Sequence, residues 1–109
     1  MTDGIRPHPQ SPTILLVEDE PAIRSLIRRM LEGAGYELLI ARNGNEALTV
    51  AKQHRGVIDL LLTDIVMPRM NGFELGEQIG SARPETNVLF VSGFFKDSTA
   101  VRSGLRATG

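Results

Sequence analysis

The sequence lacks cysteine, tryptophan and any long apolar run. Without cysteine there can be no disulfide bond, no thiol redox chemistry and no zinc–thiolate site. Without roughly 20 consecutive apolar residues there is no candidate transmembrane helix, so no membrane partner is expected. The first 12 residues contain three prolines and no apolar segment of the signal-peptide kind. We therefore predict a disordered lead or linker over residues 1–12 and a cytoplasmic location.

An excess of charge of one sign is also lacking. The 12 basic and 13 acidic side chains leave a net charge of −1. This balance gives neither the basic surface expected of a nucleic-acid-binding domain nor a polybasic patch for a membrane. The 109 residues, of which 41% are hydrophobic and 23% charged, suit one ordinary globular domain.

Three short segments are almost continuously apolar: residues 14–17, 60–63 and 88–91. None of them alternates polar and apolar residues as a half-exposed strand would. Continuous apolar runs of this length are typical of strands that are covered on both faces, as in a parallel sheet. Residues 36–41 form a fourth, weaker candidate strand.

Helical patterns lie between these strands. Apolar residues recur every three or four positions in a segment that begins at Pro21 and ends at Gly33 or Gly35. Two further helices are expected to begin near Asn43 and Asn71, because a glutamate follows each at capping-box spacing. A short fourth helix is predicted in the last part of the chain. Strands that alternate with helices indicate an α/β fold with a doubly wound parallel sheet.

Polar residues follow the predicted strands. Glu18, Asp19 and Glu20 come after the first strand, Asp64 after the third and Ser92 after the fourth. Parallel strands place these residues at one edge of the sheet, where such sheets bind ligands. Like charges about 4 Å apart repel by about 4 kcal/mol at an effective dielectric constant of about 20. Either some carboxylates are protonated or a cation lies among them, and oxygen ligands favour Mg²⁺.

Taken singly, each of these residues has a plainer interpretation. Acidic residues before a helix often only complement its dipole, and Asp64 alone could be a turn residue. Their joint placement after neighbouring strands favours a functional site. A carboxylate beside Mg²⁺ can act as a nucleophile towards phosphorus, and phosphoryl transfer needs mainly positioning and charge neutralisation.

Residues 14–21, 62–72 and 88–93 together resemble the response-regulator receiver domains of two-component signalling. The acidic pair and the stretch Asp-x-x-Met-Pro-x-x-x-Gly form a specific signature, and the resemblance covers residues 13–104. It implies a flavodoxin-like fold with strand order 2-1-3-4. The Val-Ser-Gly-Phe sequence that ends the fourth strand is similar to that of receivers in hybrid histidine kinases.

The resemblance also implies residue roles. Glu18 and Asp19 would bind Mg²⁺, and the backbone carbonyl of Val66 would complete the protein's ligands. Asp64 would be a further ligand and would accept a phosphoryl group from the phosphohistidine of a histidine kinase or phosphotransfer domain. Ser92 would be the hydroxyl that contacts the phosphoryl oxygens and drives the switch.

One departure from the family pattern concerns the end of the sequence. The family has a fifth strand that ends in an active-site lysine, whereas this sequence stops at Gly109, and Lys96 does not match the lysine position. We therefore expect residues 13–109 to form a C-terminally incomplete receiver, with slow or uncoupled phosphorylation. We also expect the fourth strand to be an exposed edge that favours homodimers or aggregation.

Two alternatives remain open. A degenerate receiver could bind a protein partner without being phosphorylated. A phosphohydrolase could use Asp64 as its nucleophile, but the position two residues later, where such enzymes commonly carry an acid, is Val66. We therefore expect no enzyme in the usual sense, only self-phosphorylation followed by slow loss of the phosphoryl group.

Overall fold

The computed structural model describes residues 11–91, which form four strands and three helices in alternation. The predicted lead (residues 1–12) therefore lies almost wholly outside the described residues, as does the predicted fourth helix. The elements, in chain order, are β1 (Thr13–Val17), α1 (Pro21–Gly33), β2 (Glu37–Ala41), α2 (Gly44–Gln53), β3 (Leu60–Asp64), α3 (Gly72–Ala82) and β4 (Asn87–Val91).

The four strands form one parallel sheet in the order β2-β1-β3-β4. Leu15 of β1 lies opposite Leu39 of β2 on one side and Leu61 of β3 on the other. At the carboxyl end of the sheet, Asp64 of β3 lies opposite Val91 of β4. The predicted doubly wound sheet with strand order 2-1-3-4 is confirmed.

Both faces of the central strands are buried, which explains their continuous apolar sequences. Leu15 and Leu61 enter a core between the sheet and helices α2 and α3. Leu16 and Leu62 enter a second core, between the sheet and α1. Because successive residues of a strand point to opposite faces, each residue of the apolar run enters one core or the other.

The helix starts follow the predicted capping residues, with one difference. At α3 the capping box is complete: Asn71 accepts a hydrogen bond from the Glu74 amide, and Glu74 accepts one from the Asn71 amide. At α2, Asn43 accepts from the Glu46 amide at 2.8 Å. The Glu46 carboxylate, however, accepts from the backbone of Arg42 instead, at 2.6 Å, so only half of this box forms.

The two outer strands are less buried than the central pair. Strand β2, the weaker sequence prediction, is confirmed at one edge. Within residues 11–91, β4 pairs only with β3, and its Leu89 and Phe90 side chains are 54% and 37% exposed. None of the three helices in this part of the chain is long and apolar enough to cross a membrane.

Candidate metal site

Three carboxylates meet at the carboxyl ends of β1 and β3. Glu18, Asp19 and Asp64 each offer an oxygen atom, and these atoms all lie within 4.8 Å of one another. The cause is the register: Val17 pairs with Thr63, so the residues that follow them emerge side by side. The structure therefore brings together the three residues that the sequence placed at this edge.

The cluster is well shielded from solvent. Glu18 is 2% exposed and Asp64 is 1% exposed, while Asp19 is half-buried. Burial lowers the effective dielectric constant, which strengthens both the mutual repulsion of carboxylates and their attraction for a cation. A cluster of this kind is therefore most stable with a positive ion among its oxygen atoms.

Glu18 is held by hydrogen bonds on three sides. Its amide donates to the Ala41 carbonyl of β2 at 3.2 Å, and its carbonyl accepts from Nη1 of Arg24 at 2.9 Å. Its carboxylate Oε2 also accepts from the Glu20 amide at 3.0 Å. These contacts fix both the backbone and the carboxylate of Glu18 before α1 begins.

The backbone after Asp64 is fixed by its neighbours. The Thr63 hydroxyl donates to the Asp64 carbonyl at 2.9 Å, and the Gly72 amide donates to the Ile65 carbonyl at 2.8 Å. A Cβ atom on Gly72 would lie only 2.2 Å from the Asp64 carbonyl oxygen, so α3 can begin this close only at a glycine. The Ile65 amide also donates to the Val91 carbonyl at 3.3 Å.

The segment between Asp64 and α3 makes a tight turn, which we call the acceptor loop (residues 65–71). Arg69 has a φ of 68°, and the Met70 amide donates to the Pro68 carbonyl at 2.8 Å. Met67 is buried in the core between the sheet and helices α2 and α3. The Val66 side chain points outward and is 66% exposed.

The donor set fits Mg²⁺. This ion prefers oxygen ligands in octahedral geometry, and ligands on opposite sides of it lie roughly 4.2 Å apart. The three carboxylates offer oxygen ligands that lie within 4.8 Å of one another. Mg²⁺ usually retains several waters, so three carboxylates are enough.

Two residues near the cluster were not singled out from the sequence. Arg24 lies in α1, and its guanidinium donates to the Glu18 carbonyl. Thr63 belongs to an apolar run, but its buried hydroxyl fixes the Asp64 carbonyl. The predicted role of Ser92 falls outside the described residues. Its neighbour Val91 lies opposite Asp64 in the sheet.

The sequence model of the response regulator receiver domain matches residues 14–107, which is most of the chain. The chain therefore belongs to the receiver domain family, as the sequence signature predicted. The fold agrees with this assignment, because its four parallel strands have the order found in the receiver structures it resembles.

Several relatives can be named. The sensor kinase CckA of Brucella abortus is 39% identical over 90 residues, which is 83% of this chain and 10% of that protein. The response regulator receiver protein CpdR of the same organism is 38% identical over 81 residues, covering 74% of this chain and 66% of CpdR. The chain thus spans about a tenth of the length of the sensor kinases it matches.

Two crystal structures are closely similar. The receiver domain of the hybrid histidine kinase CckA has a TM-score of 0.70 and 43% identity, covering 75% of this chain and 76% of that one. The response regulator TrrA of Thermotoga maritima, in complex with Mg²⁺ and BeF, has a TM-score of 0.69 and 35% identity, covering 75% and 70%.

Proposed function

We propose that this chain is a phosphoacceptor in a two-component phosphorelay. Asp64 accepts a phosphoryl group, and Glu18, Asp19 and Asp64 hold Mg²⁺. The observation that carries the proposal is the convergence of the three carboxylates within 4.8 Å, in a chain of the receiver family. The expected donor is the phosphohistidine of a histidine kinase or phosphotransfer domain, which accords with the predicted cytoplasmic location.

In the transfer, an Asp64 carboxylate oxygen forms a bond to phosphorus while the phosphorus–nitrogen bond of the donor breaks and the imidazole leaves. Mg²⁺, when bound, supplies positive charge that offsets the charge of the phosphoryl oxygens. The residues of the chain contribute by holding the Asp64 carboxylate in position. The Thr63 hydroxyl and the Gly72 amide hold the backbone on either side of Asp64. The metal-ligand role of the Val66 carbonyl and the switch role of Ser92 remain predictions.

The residue two positions after Asp64 argues against rapid turnover. Val66 has an apolar side chain that is 66% exposed, so it can neither orient a water molecule nor transfer a proton. We therefore expect the aspartyl phosphate to persist. Rapid, multiple-turnover release of phosphate would instead favour the hydrolase alternative.

The relatives support the proposal in two ways. TrrA, which shares the fold, was crystallised with Mg²⁺ and BeF, so a receiver of this fold binds both. The relatives CckA and LuxN are named as sensor kinases, which accords with a kinase as the phosphoryl donor.

The test is intact-mass spectrometry after incubation with acetyl phosphate and Mg²⁺. The unmodified chain should gain one phosphoryl group, and Asp64→Ala should gain none. Asp59→Ala is the matched control. Asp59 lies just before the start of β3, at the opposite end of the strand from Asp64, so this variant should still gain one phosphoryl group. Omission of Mg²⁺, or its removal by chelation, should abolish the gain.

The main alternative is a receiver that binds a partner without being phosphorylated. A folded chain that gains no phosphoryl group from acetyl phosphate or from a phosphorylated histidine kinase would favour it. The homodimer expected through the outer edge of β4 also remains a prediction. A single monomeric species in sedimentation at high protein concentration would contradict it.

A further inference from the structure

A glycine outside the acidic cluster makes close contact with the acceptor loop. Gly44 is the first residue of α2 and is buried. A Cβ atom added to Gly44 would lie 2.7 Å from Sδ of Met70, 3.0 Å from its Cβ and 3.1 Å from its Cγ. Met70 therefore occupies space that exists only because residue 44 has no side chain.

Rotation of the Met70 side chain would relieve the contact with Sδ but not the contact with Cβ. The thioether is flexible and could turn away, but the Cβ atom of Met70 is attached directly to the backbone. A methyl group at residue 44 would therefore press on the loop backbone as well as on the side chain. Sδ of Met70 also lies 3.9 Å from Nε2 of Gln78, which occupies part of the space into which it could turn.

The loop is anchored on both sides of Met70. On the C-terminal side, Asn71 is held by the capping box of α3, and Gly72 lies against the Asp64 carbonyl. On the N-terminal side, the Met70 amide donates to the Pro68 carbonyl across the turn at Arg69, and Ile65 is hydrogen-bonded to Val91 and Gly72. Because both anchored sides adjoin Asp64, a displacement of Met70 would be transmitted to the backbone beside it.

We propose that Gly44 is a positioning residue for the phosphoacceptor site. Its missing side chain sets the place of Met70, and Met70 sets the path of the acceptor loop beside Asp64. Gly44 touches neither metal nor phosphoryl group in this scheme. The inference rests on the proposed function, because it assigns Gly44 to the same site.

The first experiment compares Gly44→Ala with Gly80→Ala. Both variants add one methyl group to a glycine in a helix, but a Cβ on Gly80, in α3, would have no atom within 4 Å. Gly44→Ala should raise the dissociation constant for Mg²⁺, measured by calorimetry, roughly tenfold, and should slow phosphorylation by acetyl phosphate by a similar factor. Gly80→Ala should change neither quantity more than about twofold.

The second experiment tests whether the effect passes through Met70. Met70→Ala removes Sδ and Cγ of Met70, two of the three atoms nearest the new methyl group, and leaves only its Cβ. Gly44→Ala should therefore weaken Mg²⁺ binding less than about threefold when added to Met70→Ala, against roughly tenfold when made alone. A general loss of stability would not be rescued in this way. If Gly44→Ala alone does not fold, folding of the double variant supports the inference, and failure of both overturns it.

Backbone amide chemical shifts separate this inference from the proposed function. If the unmodified chain neither binds Mg²⁺ nor gains a phosphoryl group, the proposed function fails, but the placement of the loop is still measurable. Gly44→Ala should shift the amide signals of residues 65–71 more than Gly80→Ala does. Equal shifts in the two variants, or equal Mg²⁺ affinities in a chain that binds Mg²⁺, would overturn the inference.

Discussion

The two ends of the parallel sheet differ in how their charged side chains are arranged. At the amino end, the Arg83 guanidinium donates to the carbonyls of Ala51, His54 and Gly56 at 2.6 to 3.2 Å. A positive group there meets the last carbonyls of α2, where the helix dipole is negative. At the carboxyl end, three carboxylates of like charge lie within 4.8 Å of one another.

The difference indicates that charged side chains stabilise the fold at one end of the sheet and favour cation binding at the other. Charges at the amino end are matched by partners of the chain itself, so they should stabilise the fold in any buffer. The three clustered carboxylates at the carboxyl end repel one another, so this repulsion should destabilise the fold until a cation binds. The ends therefore predict effects of opposite sign when a charge is removed.

The largest effect is expected from Arg83→Met. The substitution keeps an apolar side chain of similar length but leaves three carbonyls without their donor. We expect the free energy of unfolding to fall by about 3 kcal/mol, because hydrogen bonds from a charged donor contribute about 1.5 to 3 kcal/mol each when shielded and these three carbonyls are only partly shielded. Urea denaturation measures this loss, and the Mg²⁺ affinity of the folded protein should not change.

Arg55→Met is the control for this prediction. Arg55 follows α2 in the same connection but is exposed, so its loss should change the free energy of unfolding by less than about 0.5 kcal/mol. An equal fall in the free energy of unfolding for the two variants would mean that the Arg83 contacts contribute nothing specific. It would contradict the claim that charge stabilises the amino end of the sheet.

An intermediate effect, of opposite sign, is expected from Asp64→Asn without divalent ions. Two charges about 5 Å apart repel by roughly 3 kcal/mol at an effective dielectric constant of about 20, and relaxation and salt reduce that value. We expect the free energy of unfolding to rise by about 1 to 2 kcal/mol. Saturating Mg²⁺ should then stabilise the unmodified chain more than the variant, as thermal denaturation would show.

Asp59→Asn gives the matching change just before the start of the same strand. The Asp59 carboxylate accepts a hydrogen bond from the Thr13 amide at 2.7 Å, and asparagine keeps an oxygen that can accept it. This variant should not gain stability, and Mg²⁺ should stabilise it as it does the unmodified chain. A gain as large as that of Asp64→Asn would show that mutual repulsion at the cluster is not the cause.

The smallest effect concerns Glu46, an acidic residue at the carboxyl end that is paired with Arg42. Hydrogen bonds from Arg42, first from its backbone amide and then from its side chain, lower the pKa of Glu46. A lowered pKa means that the ionised form favours the folded state. Its contribution is complete above the ordinary pKa of glutamate and is lost as the pH falls through the lower folded-state value.

Glu46→Gln should therefore reduce the free energy of unfolding at neutral pH by less than about 1 kcal/mol, and the reduction should shrink in acid and in high salt. Glu32→Gln is the control, because Glu32 forms a looser pair with Arg28 at 3.6 Å on an exposed helix surface. Denaturation at several pH values measures both. A Glu46→Gln effect that grows in acid would contradict the assignment.

Much of the fold and of the candidate site could be predicted from local sequence patterns. Continuous apolar runs indicated buried parallel strands, and the capping residues Asn43 and Asn71 marked two helix starts that the structure confirms. Once the strands were parallel, Glu18, Asp19 and Asp64 had to emerge at one edge. These features depend on the order of residues along the chain, so the sequence alone determines them.

The tertiary structure decided those contacts that join residues far apart in the sequence. Arg83 reaches the end of α2 across about 30 positions of chain, and Gly44 makes room for Met70 across a similar separation. One local contact also differs from the sequence pattern: the Glu46 carboxylate accepts from the backbone amide of Arg42, whereas a complete capping box would have it accept from the amide of Asn43. The long-range contacts depend on how the helices pack against the sheet. The periodicity of apolar residues predicts the helices and strands, but it does not predict which distant residues touch.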